Sequence, residues 1–149
     1  MRVSANMWDG RNFSGTKIAL LFGSELVVYL RDQKDGIPFP GMWDLPGGGR
    51  EGDENPVECV LREVFEEFRI TIPTEKVINL TKYKSGTPGG PDTYFCAASI
   101  TQAEIDNIEF GEEGQRWLMM PIAEFLAHDQ AIPHLKLRLQ AALDVDWEA

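Results

Sequence analysis

Glu63, Glu66 and Glu67 stand at positions i, i+3 and i+4 of the segment LREVFEEFRI, residues 61–70. On a helix that spacing points three carboxylates the same way. Like charges so placed repel by roughly 0.2–0.5 kcal/mol per pair. A cation relieves them, and an all-oxygen donor set suits a hard ion such as Mg²⁺, with Mn²⁺ as a substitute. Just upstream, WDLPGGG (residues 43–49) sets three glycines in a row, where the backbone must bend sharply or approach something closely. Glutamates on a helix face are ordinarily solvated surface. Their position behind a glycine turn points instead to an ion site.

The elements that must present these groups follow from local signals. Asn55 is suited to cap a helix, Pro56 to open it, and Glu58 to close a capping box. Val57, Leu61, Val64, Phe65 and Phe68 form an apolar stripe at helical spacing, with the glutamate cluster centred on the far side. Arg62 stands four residues from both Glu58 and Glu66, placed to organise the acidic face through both pairs. Elsewhere residues 17–22 and 25–31 read as strands joined at Gly23-Ser24. Residues 32–52 read as a long functional loop rich in Gly and Pro. Residues 77–83 and 93–100 read as strands around a turn at 85–91. Thr101 is placed to cap a short helix through Ile105, residues 116–120 read as a strand, and 121–127 and 134–143 as helices. The last carries Leu135, Leu139 and Leu143 on one side. These elements allow a single α/β domain over residues 1–149, a mixed β-sheet sandwiched between α-helices.

Charge narrows the partners. With 24 acidic against 14 basic residues, the net charge of −10 disfavours nonspecific binding to DNA. It would also repel a small phosphorylated anion, unless a divalent cation reverses the field where the phosphates land. No apolar run reaches the length of a membrane span and no signal-peptide pattern opens the chain, so the expected location is the cytoplasm. Cys59 and Cys96, without paired spacing, are expected as buried free thiols.

Taken together, Gly48, Glu54, the run Arg62-Glu63-Val64-Phe65-Glu66-Glu67-Phe68 and Ile70 resemble the Nudix box. The departure is Arg69, where that family has glycine at the helix end. The resemblance implies a Nudix-like α/β fold. It also implies a Mg²⁺-dependent pyrophosphohydrolase in which water attacks one phosphorus of a diphosphate linkage, the substrate being a nucleoside diphosphate linked to another moiety. On that pattern Glu63, Glu66 and Glu67 hold metal together with the Gly47 carbonyl. Glu54 supports the metal's waters, and Arg62 orients a carboxylate. The general base stays open between Glu63 on the helix and Glu112 or Glu113 in a later loop. Arg50 and Arg31 are candidates to reach substrate phosphates. Trp43, Trp8, Phe13, Phe39 and Tyr29 fit packing at least as well as nucleobase stacking, and His128 and His134 are expected not to bind metal. Two other readings share the fold. One is a catalytically inactive nucleotide-binding or regulatory module, against which the intact glutamates argue. The other is a prenyl diphosphate isomerase, which would want a further catalytic cysteine and glutamate in a longer chain. Many family members are dimers, so a homodimer is within expectation.

Overall fold

Residues 18–21 and 26–29 are apolar at every position, as in strands covered on both faces. They form β1 (Phe13–Phe22) and β2 (Glu25–Leu30), turning at Gly23-Ser24. This computed structural model describes residues 8–85 and 89–145. The hairpin pairs only at its closed end, Leu21 with Leu26 and Phe22 with Glu25. Beyond that the two strands part. β3 (Trp43–Asp44) pairs with β2 and β4 (Gly47–Gly49) pairs with β1, filling the fork. The stretch 32–52, expected as loop, therefore holds two short strands. A run of glycines has little strand propensity of its own, and the open edges of β1 and β2 supply the pairing.

The chain continues through α1 (Pro56–Phe68), β5 (Ile78–Tyr83), β6 (Asp92–Ser99), α2 (Gln102–Asp106), β7 (Arg116–Pro121), α3 (Ile122–Ala127) and α4 (Pro133–Leu143). Thr101 caps α2 in a box closed by Glu104. Of the turn expected over 85–91, residues 86–88 lie outside the described residues. β6 runs parallel to β1, β5 antiparallel to β6, and β7 antiparallel to β2, which makes one mixed seven-stranded sheet.

Alternation along the strands divides the core in two. Ile18, Leu20, Val27 and Cys96 pack with Val57, Val60, Val64 and Phe68 of α1. Leu21, Leu26, Val28 and Phe95 pack with Phe125 of α3 and with Leu135 and Leu139 of α4, and partly buried Leu143 adjoins them. The inward stripe of α1 differs from the expected one at Phe65, Cys59 and Val60. Phe65 is 47% exposed, while Cys59 and Val60 are fully buried. Both cysteines are buried free thiols, and burial pushes the Cys59 thiol up to about 11. No helix among the described residues is long and apolar enough to cross a membrane.

Candidate active site

The start of α1 follows local chemistry closely. Asn55 Oδ1 accepts from the Glu58 backbone N–H at 2.8 Å, and Glu58 Oε1 accepts from the Asn55 N–H at 2.9 Å. This box claims Glu58, so the expected Glu58–Arg62 pair is not formed. Arg62 turns to Glu54 instead, with Nε 2.7 Å from Oε2 and Nη2 3.2 Å from Oε1. Its Nη1 lies 3.3 Å from Glu63 Oε2 and 3.2 Å from Glu66 Oε1, and Nη2 donates to the Gly49 carbonyl at 2.6 Å. One guanidinium thus ties the glycine strand, the entry loop and the acidic helix face together. The Arg62 hydrogen bond holds the Glu54 carboxyl below its usual range, and Glu54 in turn raises Arg62.

Two glycines bring β4 against that face. Gly47, at φ 122°, leaves no room for a Cβ beside the Thr16 carbonyl, and a Cβ on Gly48 would stand 2.7 Å from the Glu63 carboxyl carbon. The Gly47 N–H donates to Glu67 Oε1 at 3.0 Å. Its carbonyl, the expected metal ligand, accepts from Lys17 Nζ at 3.1 Å. Lys17 also donates to the Leu45 carbonyl and to Asp44 Oδ2, each at 3.1 Å. Asp44 Oδ2 further accepts from Arg31 Nη1 at 2.9 Å and from the Tyr29 hydroxyl at 2.9 Å. Asp44 is 1% exposed, and this buried cluster holds the fork between β1 and β2.

The far end of α1 breaks the family's pattern and is repaired by neighbours. Arg69 sits in the left-handed region at φ 59°, ψ 28°, where its N–H donates to the Phe65 carbonyl. Its guanidinium lies 5.6 Å from the centre of the Phe65 ring, so the two departures from expectation, an exposed Phe and a missing glycine, cover each other. The Glu109 and Gly111 N–H groups donate to the Phe68 and Glu67 carbonyls at 3.0 and 2.7 Å, satisfying helix-end acceptors. That docking brings the 109–113 loop onto the helix. Glu112 and Glu113 then line one cleft with Glu51, Glu63, Glu66 and Glu67.

The electrostatics suit a cation there. Burial pushes the Glu67 carboxyl up to about 8, against the favourable Lys17 charge, and burial also raises Glu63. Among the described residues no three such side chains are gathered as a ready-made metal cluster; Arg62 engages Glu63 and Glu66, and the Gly47 N–H engages Glu67. The donor chemistry nonetheless fits a hard divalent ion: carboxylate oxygens and a backbone carbonyl, two of the carboxylates destabilised by burial in their charged form.

Other candidates have other partners. Arg50 donates to the Glu54 carbonyl and to Asn12, and lies 4.6 Å over the Phe13 ring. Arg31 faces a second hollow lined also by Lys34, Ile37 and Glu113. Trp43 is buried, with Arg116 over its ring at 5.2 Å. Trp8 packs edge-on to Phe13 and Phe13 to Tyr94, whereas Phe39 is 39% exposed beside His134. His128 Nδ1 accepts from the Gln130 N–H. Sequence reasoning missed Lys17, Asp44 and Glu51. An aspartate inside an apolar lead-in, WDLP, was a usable signal that a buried carboxylate needs partners, but its partners lie 13–27 residues away in sequence.

A family model described as NUDIX domain matches residues 15–140. A MutT-like protein from Streptomyces ambofaciens is 43% identical over 49 residues, which are 33% of this chain and 30% of that relative. The chain thus matches less than a third of that relative's length. The MutT NUDIX hydrolase from Burkholderia pseudomallei superposes with a TM-score of 0.64 at 20% identity, over 87% of this chain and 95% of that one. A bifunctional NMN adenylyltransferase/ADP ribose pyrophosphatase from Francisella tularensis, complexed with AMP and a Mn ion, gives 0.63 at 17% identity, over 88% of this chain and 41% of that one. At these identities the structural likenesses speak for the fold.

Proposed function

The chain belongs to the NUDIX domain family, and from that premise we propose that it is a divalent-metal-dependent pyrophosphohydrolase. Its substrate is a nucleoside diphosphate joined through the diphosphate to another group. One observation carries the reading: carboxylates from α1 and from the 109–113 loop share one cleft beside the glycine strand. The AMP and Mn ion of the Francisella relative fit the same ligand chemistry.

Glu63, Glu66, Glu67 and the Gly47 carbonyl are the groups that would hold the metal. When bound, Mg²⁺ or Mn²⁺ supplies Lewis acidity toward a phosphoryl oxygen and lowers the pKa of a bound water. The chain's own residues do the positioning. Arg62 orients Glu63 and Glu66 and anchors Glu54, and Gly48 leaves space for the Glu63 carboxylate. A carboxylate oxygen of Glu63, Glu112 or Glu113 takes the proton of the attacking water. Small nucleotide-derived substrates in the cytoplasm go with this reading better than nucleic acid polymers.

The test is a panel of nucleotide sugars, ADP-ribose, dinucleoside polyphosphates, oxidised nucleoside triphosphates and capped RNA ends, scored for product identity with Mg²⁺, Mn²⁺ or EDTA. Two phosphorylated products formed only with metal are the expected result. Binding of one panel member without product from any would instead identify a binding module and overturn the hydrolase reading.

A further inference from the structure

A third pocket lies where α4 meets β1 and the β5–β6 hairpin, lined among others by Ser14, Lys84, Thr93, His134 and Arg138. On a chain of net charge −10, this lining contains no carboxylate among the described residues. Arg138 is partly buried. Its Nη1 donates to Thr93 Oγ1 at 3.1 Å, and its guanidinium lies 4.4 Å from the centre of the Tyr83 ring. Neither neighbour carries charge at neutral pH, and no ion pair involves Arg138 among the described residues. Lys84 likewise has no hydrogen bond or ion pair among them. Lys82, two positions earlier, shows the contrast: it is paired with Asp9 at 2.8 Å and Asp92 at 3.8 Å. The nearby acids are thus spent on Lys82, and the pocket's cations are left open.

Desolvating a guanidinium without a counter-charge is unfavourable, and completing it with an anion relieves the cost. Held by Thr93 and Tyr83, the Arg138 fork is oriented rather than free, the geometry that suits two parallel bonds to a phosphate or carboxylate. His134 lines the same pocket, and partial burial together with the nearby Arg138 charge lowers its pKa. In the sheet Gly15 pairs with Gly49 of β4 on one side and with Thr93 of β6 on the other. The pocket therefore begins about two strand spacings, roughly 10 Å, from the glycine strand.

We infer that this pocket is an anion subsite that takes a phosphoryl group through Arg138 and Lys84. The phosphoryl group comes either from the far end of the cleaved substrate or from free phosphate. The first source rests on the hydrolase reading, while the site itself does not.

The experiment is calorimetric titration of inorganic phosphate into the full, EDTA-treated chain, compared among wild type, Lys84→Gln, Arg138→Gln and Lys34→Gln. Saturable binding should weaken about tenfold in each of the first two variants, the loss expected for one charge-assisted contact, and stay unchanged in the third. Arg138 also packs on Tyr83, so Lys84→Gln, which breaks no contact, keeps the test valid if Arg138→Gln folds poorly. A second arm measures KM for two diphosphate substrates that differ only by a distal phosphate. A rise confined to the phosphorylated one identifies the substrate as source, and phosphate binding with no KM change identifies free phosphate. Absence of saturable binding in wild type, or binding indifferent to Lys84→Gln, overturns the site. Turnover failing on every substrate while phosphate binding behaves as expected would remove the hydrolase reading and leave the site standing.

Discussion

The cleft over α1 is lined by six carboxylates and a single guanidinium, that of Arg69, whereas the pocket beside α4 is lined by Lys84 and Arg138 with no carboxylate among the described residues. The two lie on either side of a three-strand stretch of β4, β1 and β6. They compensate charge differently. In the cleft Arg62 reaches Glu54, Glu63 and Glu66 at once, yet Glu67 stays buried beyond its reach and is pushed up to about 8. In the pocket Arg138 is steadied, among the described residues, by a hydroxyl and an aromatic face. A single net charge of −10 conceals this division, and the placement of charges, not their sum, sets what each side can hold.

The comparison is broken most decisively at Glu67. Glu67→Gln keeps the shape and removes the deepest carboxylate, and turnover with saturating Mg²⁺ should fall at least about a hundredfold. A near-normal kcat in a folded variant would take the cleft out of the chemistry. Gly48→Ala should come next. Its methyl group meets the Glu63 carboxylate 2.7 Å away, and displacement of that group by a fraction of an ångström should cost roughly ten- to a hundredfold in kcat. An unaltered rate would show that the Glu63 position is not critical.

A pH series on metal-free protein probes the same asymmetry. The folded state raises Glu67 from its ordinary 4.5 to about 8, so between those values the native protein holds a proton that the unfolded chain releases. Stability should therefore fall as pH rises through that window, by up to about tenfold in the folding constant per pH unit, and level off above pH 8. Thermal melts from pH 5 to 9 should show this slope in wild type and a flatter one in Glu67→Gln. Equal slopes would place the titrating group elsewhere. The smallest effect is expected at Arg69→Gly. Relief of the left-handed backbone, worth roughly 1–2 kcal/mol, is partly cancelled by loss of the stack on Phe65, about 0.5–1 kcal/mol. Denaturant unfolding should show a net gain near 1 kcal/mol or less, and a clear loss would mean that the stack outweighs the strain.

Much of α1 was legible in the sequence because its signals are local. Asn55, Pro56 and Glu58 act within one turn, and so their roles followed from order alone. The Glu58–Arg62 pair was misread because two partners competed for one carboxylate, and the cap won. Phe65 had the spacing of a core residue, but Val60 and Cys59 met the sheet instead, which depends on the angle at which the helix lies on it. β3 and β4 were read as loop because strand character there comes from the edges of β1 and β2. Spacing does not separate Glu112 from Glu113, and both line the cleft.

Order along the chain determined the capped helix, the glycine run before it and the three glutamates at helical spacing, since each depends on neighbours within a few residues. Tertiary structure alone decided that Lys17 clamps Asp44 and the Gly47 carbonyl, that the 109–113 loop caps α1, and that Arg138 stands beside Thr93 and Tyr83 with no carboxylate partner among the described residues. Those outcomes join groups 27 or more residues apart, and such contacts form only when sheet register and helix packing bring distant backbone together.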